Sequence, residues 1–300
     1  MKTKEYEFDF EHLKKDLEFE ASSFLIEQSF QLLPKKIELV NSLIKNYFGL
    51  GGIINDSDLY LKHTAFAVYH WEHYDLIRRS LLEALATYYN ASSILLRPTF
   101  ELIIKGILFQ CICQQKFRKS ANVLRKQKDE LLEIITTEIN KNPDLNQELQ
   151  NSSVSLFDKV GSVFLVNYRP SIKQILLQFQ KWTLLQGIKK PVSQLYDESY
   201  GTLSWDVHVH PPSLDVGRRI RLNETPFKDH EVSSKYLHEC LDNIILIIDL
   251  STIMTVNMFR FTIDDSKLFK QYLQSLANSK GFKELKLEYS PIRIKQLIQN

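Results

Sequence analysis

The chain has 300 residues, 44% of them hydrophobic and 25% charged, with a formal net charge of +2 and only 9 Gly and 9 Pro. So little turn punctuation excludes a many-stranded sheet and points to long helices with few connections. The near-zero charge excludes a strong whole-molecule field for nucleic acid or acidic lipid, although the charge is uneven. Residues 1–60 carry 7 basic and 11 acidic groups, whereas residues 266–300 carry 7 basic and 2 acidic. Three cysteines, Cys111, Cys113 and Cys240, show no C-x-x-C spacing and fit a reducing compartment rather than a disulfide framework. The N-terminal stretch alternates charge with aromatics and has no apolar signal core.

Residues 10–47 read as one or two amphipathic helices, with Pro34 as a start or kink. Gly49, Gly51, Gly52 and Asn55-Asp56 mark a loop, after which Asp56 or Ser57 could cap a long helix over residues 58–89. A second long helix is expected over 91–117, with Pro98 near its first turns, and a charged surface helix over 120–140. Asn142-Pro143 and residues 151–153 are breaks. Shorter helices follow near 154–164, 171–187 and 192–207.

Residues 211–230 lack apolar periodicity and read as an ordered loop. The last strong helix spans 231–261 and holds the longest apolar tract, interrupted at Asp249. We read that tract as a buried core helix rather than a membrane span. A helix over 265–279 precedes a tail that alternates at Leu285–Tyr289 and Ile292-Arg-Ile-Lys, which predicts a small C-terminal hairpin. The fold class is therefore all-α: a multi-helix bundle of long antiparallel helices. It forms one domain, with residues 1–55 and 261–300 as extensions around a core over 58–260.

The densest chemistry lies in Tyr200-Gly-Thr-Leu-Ser-Trp-Asp-Val-His-Val-His-Pro-Pro212. The double proline should end the helix near residues 207–209, which would leave Tyr200, Ser204 and His208 on one face at i, i+4 and i+8. His210 then begins the extended loop. A histidine can serve as base, acid or ligand near neutrality, and equally as a C-terminal cap. On the earlier helix, Arg97, Glu101 and Lys105 share a stripe with Ile94, Ile104 and Leu108. A clean solvent face would not mix those apolar residues in. Arg97 and Glu101 are thus either a structural i, i+4 pair at a kinked helix or one wall of a cleft.

His63, His70 and His73 lie on the residue 58–89 helix, and His70 and His73 at i, i+3 could share a metal with His208. Their aromatic neighbours Tyr69, Trp71 and Tyr74 favour hydrogen-bonded core histidines. Arg218, Arg219 and Arg221 follow the double proline and suit phosphate, or pairing with Asp215 and Glu224. No P-loop, G-x-G-x-x-G, G-x-S-x-G or zinc-ligand spacing is present, which removes most common enzyme classes.

Arg97-Pro-x-x-Glu101, followed by Tyr200-x-x-Leu-Ser204-x-x-x-His208, resembles a pattern in prokaryotic all-helical proteins that are distantly similar to the HEPN superfamily. The resemblance covers residues 58–260. It implies a helical bundle and, in many members, a metal-independent RNase of toxin–antitoxin or antiviral systems; other members are binding or dimerisation modules. The HEPN nuclease signature sets an Arg four to six positions before the His. No Arg stands at that distance before His208, so Arg97 would have to substitute from another helix.

Three readings follow. The first is an interaction or ligand-sensing module in host defence, with an anion-binding Arg/Ser/His groove. The second is a metal-independent RNase, and the third a metal-dependent hydrolase using His70, His73 and His208. The candidate catalytic residues are His208, Arg97, Ser204 and Glu101. The candidate ligand contacts are Tyr200, His210, Arg218, Arg219 and Arg221. We expect a cytoplasmic homo-oligomer without cofactor, metal or membrane contact, whose partner is RNA, a nucleotide or another protein.

Overall fold

Runs of Leu, Ile, Ala, Lys and Glu with sparse Gly and Pro fold here into helices. The computed structural model describes residues 19–54, 63–113, 117, 170–201, 203, 232–263, 266–284 and 287–299. Of the described residues 86% are helical and none is in a strand, which makes the class all-α. In chain order the helices are α1 (Phe19–Leu32), α2 (Pro34–Gly49), α3 (Thr64–Leu85), α4 (Tyr89–Cys113) and α5 (Ile172–Lys181). They continue as α6 (Val192–Tyr196), α7 (Ser234–Thr262), α8 (Ser266–Asn278), α9 (Lys280–Glu284) and α10 (Ser290–Gln299). The expected helices over 120–140 and 154–164, and the loop over 211–230, lie outside the described residues.

Pro34 is the first residue of α2, where its missing N–H costs nothing. The following glycines form a 3₁₀ turn, Leu50–Ile54, rather than an open loop. Helices α3 and α4 pack side by side over their length as an αα-hairpin. Gly106 of α4 lets them close up, because a Cβ built there would lie 2.6 Å from the Tyr69 Cβ.

Helix α3 stops at Leu85 and not near residue 89. Thr87 takes a left-handed conformation (φ 69°). The Tyr88 N–H bonds the Glu83 carbonyl at 2.8 Å and the Thr87 N–H bonds the Ala84 carbonyl at 3.2 Å, a Schellman closure. The same geometry ends α5 at Lys181, short of the expected 187. Thr183 sits at φ 61°, and the Leu184 N–H bonds the Phe179 carbonyl at 2.9 Å. At its other end α5 begins where expected, and the structure shows a capping box there between Ser171 and Gln174.

Helix α7 is the hub, packing on α2, α3, α4 and α10. Ser233 caps it by accepting from the Tyr236 N–H. It is long and apolar enough to cross a membrane, yet 78% of its most apolar window is buried against the rest of the chain. Ile244, Ile248, Met258 and Phe259 are among its fully enclosed side chains.

The predicted C-terminal hairpin does not form: residues 280–284 and 290–299 are helical. Ile292 and Ile294 alternate like a strand, but Ile292 is exposed while Arg293, Ile294 and Leu297 are buried at helical spacing. What starts α10 is remote. The Asp249 carboxylate, only 2% exposed, accepts from the N–H groups of Glu288 (2.8 Å), Tyr289 (2.9 Å) and Ser290 (2.8 Å), and from the Ser290 hydroxyl. The one acid that interrupts the apolar tract is thus a cap supplied by another helix.

Candidate functional site

Arg97 sits in the middle of α4, where Pro98 removes the N–H that would bond the Ile94 carbonyl. The helix carries on through it, and the Thr99 hydroxyl bonds back to the Leu95 carbonyl at 2.6 Å. Arg97, Glu101 and Lys105 follow one another along a half-buried stripe, with side chains 21%, 25% and 39% exposed. Ile104 and Leu108 of the same stripe are buried, whereas Ile94 is exposed.

Tyr200 meets this stripe from across the fold. The expected single helix over 192–207 is not what positions it. The α-helical register ends at Tyr196, and Asp197–Gly201 forms a wider π-helical turn. Two local bonds accompany the widening. The Ser199 hydroxyl bonds back to the Leu195 carbonyl at 2.6 Å, and Glu198 is held by Lys190 at 2.9 Å and Gln194 at 2.8 Å. The i, i+4, i+8 geometry assumed for Tyr200, Ser204 and His208 therefore does not start from a regular α-helix.

The Arg97 Nε–H and Nη2–H both donate to the Tyr200 hydroxyl, at 3.1 and 2.8 Å. That hydroxyl donates in turn to Glu101 Oε1 at 2.7 Å. The Lys105 ammonium donates to Glu101 Oε2 at 3.1 Å, while Arg97 Nε stands 3.5 Å from Glu101 Oε1. The Arg97 guanidinium carbon also lies 4.9 Å from the centre of the Tyr200 ring.

Burial pushes the Tyr200 phenol up, helped by the Glu101 carboxylate and opposed by Arg97, so the hydroxyl stays protonated. Burial alone would raise Glu101. The hydrogen bonds from Tyr200 and Lys105, with the charges of Lys105 and Arg97, outweigh it and hold the carboxyl below its usual value. Glu101 is therefore an ionised acceptor near neutrality and a poor proton donor. Of the five N–H donors of a guanidinium, Arg97 uses two on Tyr200, which leaves three with no partner among the described residues.

The structure thus brings Arg97, Glu101 and Tyr200 together. Ser204, His208, His210, Arg218, Arg219 and Arg221 lie outside the described residues, and so does the separation of Arg97 from His208.

His63, His70 and His73 are buried within the helix packing. His63 Nε2 lies 2.9 Å from the Thr262 hydroxyl, His70 Nε2 is 3.2 Å from the Phe48 carbonyl, and His73 Nε2 is 3.3 Å from the Ser251 hydroxyl. The Tyr47 ring lies 4.8 Å from both the His70 and the His73 ring. Burial draws His70 down to about 4. It lowers His73 still more strongly, with the neighbouring His70 adding to the effect. Both are neutral members of an aromatic core. Among the described residues no three His, Cys, Asp or Glu side chains converge as a metal site. Cys111 and Cys240 are buried thiols, and the Cys240 Sγ–H donates to the Tyr89 carbonyl at 3.7 Å.

Two buried ionic residues were not singled out by sequence reasoning as structural or site elements: Asp249 as a cap, and Arg293 on α10. Asp249 carried a signal, a charge inside an apolar tract; Arg293 stood within an alternation that reads equally well as strand. Comparison with protein-family models, curated proteins and solved structures found no match.

Proposed function

We propose that this chain is a helical interaction or ligand-sensing module in which Arg97, held by Tyr200 and Glu101, binds an anionic group of RNA or a nucleotide. One observation carries the reading. A half-buried guanidinium is fixed in place by two bonds to a neutral phenol, and its three other donors have no partner among the described residues. Burying a charge among apolar neighbours is costly unless it is paired or used. Here Glu101 is shared with Lys105, so among the described residues the cluster keeps an excess of positive charge.

A binding role suits these groups better than proton transfer. Tyr200 is held protonated and Glu101 ionised, and neither is poised to exchange a proton near pH 7. The placement in host defence rests on the motif resemblance alone.

The test is fluorescence anisotropy with a labelled RNA oligonucleotide and a labelled nucleotide. The natural chain should bind at least one of them, and Arg97→Met should weaken binding by at least about tenfold, or about 1.4 kcal/mol. Arg97→Met should cost only about 1–2 kcal/mol of stability, since Lys105 still pairs Glu101 and the site is half-open to water. Absence of binding to both probes, or equal binding by both proteins, would refute the proposal. RNA cleavage that persists in EDTA and is lost in Arg97→Met would replace it with the RNase reading.

A further inference from the structure

The basic excess of the C-terminal sequence comes to a focus at Arg293. Its side chain is buried, with the residue only 3% exposed, yet each of its partners among the described residues is a neutral amide. The Nε–H donates to Asn257 Oδ1 at 2.7 Å, Nη2–H to Gln186 Oε1 at 2.8 Å and Nη1–H to Gln296 Oε1 at 3.4 Å. Arg260, exposed on the last turn of α7, points Nη1 at the same Gln186 oxygen from 3.5 Å. Two guanidinium groups therefore converge on one uncharged acceptor. Among the described residues neither arginine has a carboxylate partner.

The surroundings explain why no carboxylate meets them among the described residues. Helix α10, residues 181–190, helix α8 and the α7 residues from 250 on contain no Asp or Glu at all. Asp264 and Asp265 lie outside the described residues. The basic groups on these same segments are Lys181, Lys189, Lys190, Lys267, Lys270 and Lys295, of which Lys190 is paired with Glu198 and Glu288. Burial, and then the charge of Arg260, pull Arg293 below its ordinary value. A buried cation that faces a like charge, with no carboxylate partner among the described residues, costs stability, and such perturbed groups cluster at functional sites.

The local build leaves room for an exchange of partners. Asn257 Nδ2 donates to the carbonyls of Leu184 (2.8 Å) and Gln186 (3.0 Å), so the backbone beside Arg293 is fixed. Gly187, at φ 104°, lets that backbone lie against the arginine stem, 3.2 Å from the Arg293 Cβ for a Cβ built there. By contrast the Gln186 and Gln296 residues are exposed, and their side chains can swing into solvent without breaking the fold.

We propose that Arg293 and Arg260 form a binding site for a small phosphate-type oxyanion, which takes the place held by the Gln186 side-chain oxygen. Two guanidinium forks, with no acid beside them among the described residues, suit a doubly charged tetrahedral group better than a single carboxylate. This site uses none of the residues assigned to the Arg97 cluster.

The experiment is thermal unfolding of the full chain at pH 7.5 in inorganic phosphate, glycerol phosphate, acetate or chloride, at matched ionic strength. Phosphate or glycerol phosphate should raise Tm saturably over chloride, whereas acetate should not. Tighter binding of the ester would identify a phosphorylated metabolite, and tighter binding of phosphate the free ion. Arg260→Gln, an exposed position, should weaken the response at least about tenfold, the loss of one charged contact to the anion. Gln186→Glu places a carboxylate in reach of both arginines. It should raise Tm in chloride and abolish the phosphate response. A missing shift in the natural chain, an equal shift in acetate, or a response kept in full by both variants would overturn the proposal. A response lost in Arg97→Met but kept in these two would assign it to the Arg97 cluster instead.

Discussion

Replacing Asp249 tests how far a single buried carboxylate holds the C-terminal helices in place. In Asp249→Ala the N–H groups of Tyr289 and Ser290 lose their acceptor inside the protein, and that of Glu288 loses it nearer the surface. A buried donor left unsatisfied costs about 1–3 kcal/mol, so two of them cost about 2–6 kcal/mol. Relief of the buried charge offsets part of this. Burial raises the Asp249 carboxyl above its ordinary value despite four hydrogen bonds, so the ionised form is not at ease there. The net loss should be about 3 kcal/mol, which lowers Tm by roughly 5–10 °C in a chain of this size.

Asp249→Asn should cost less, about 1–2 kcal/mol. Its oxygen can serve Glu288 and Tyr289, while the Ser290 hydroxyl turns to accept from the amide. Urea unfolding gives both numbers, and amide exchange at Tyr289 and Ser290 localises the effect. The pH dependence supplies a second check. A folded-state pKa above the unfolded one means the native protein holds this proton more tightly. The contribution is complete below the ordinary aspartate value and is lost as pH rises through the folded one. The stability of the natural chain relative to Asp249→Asn should therefore fall across that acid window. An Asp249→Ala variant within about 0.5 kcal/mol of the natural chain, or an Asn variant as damaged as the Ala one, would refute the capping argument.

His70 should contribute acid sensitivity of the opposite sign. Its folded value of about 4 lies below the unfolded one, so stability is lost as pH falls from near 6.5 toward 4, by roughly 3 kcal/mol at the limit. Chemical unfolding of His70→Phe between pH 7.5 and 4.5 should show that slope reduced, and an unchanged slope would exclude the neutral buried state. Gly106→Ala should destabilise although alanine is the better helix former by about 1 kcal/mol. The new methyl meets the Tyr69 Cβ at 2.6 Å and forces α3 from α4, for an expected net loss of about 1–2 kcal/mol. A melting temperature equal to or above that of the natural chain would show that this contact yields.

The helical class, the buried apolar tract, a helix start or kink at Pro34 and a helix beginning at residue 171 were all legible in the sequence. Each is set by neighbours within a few residues, through periodicity, ring geometry or a local hydrogen bond. The helix ends at Thr87 and Thr183 were not legible, since a threonine in the left-handed region gives no warning and only glycine advertises that turn. The terminal helix was misread for a related reason. The alternation of Ile292 and Ile294 is ambiguous by itself, and the carboxylate that resolves it lies 41 residues away on α7.

The candidate site divides in the same way. Arg97 and Glu101 stood out because a helical stripe mixed charge with apolar residues. Their bond to Tyr200 spans 103 residues and depends on a π-helical turn that no local pattern encoded. The convergence of Arg260 and Arg293 on Gln186 is likewise a product of tertiary packing. Sequence spacing settles which residues share an element and a face. Which charges meet, and whether a counterion meets them, is decided only when distant helices are brought side by side.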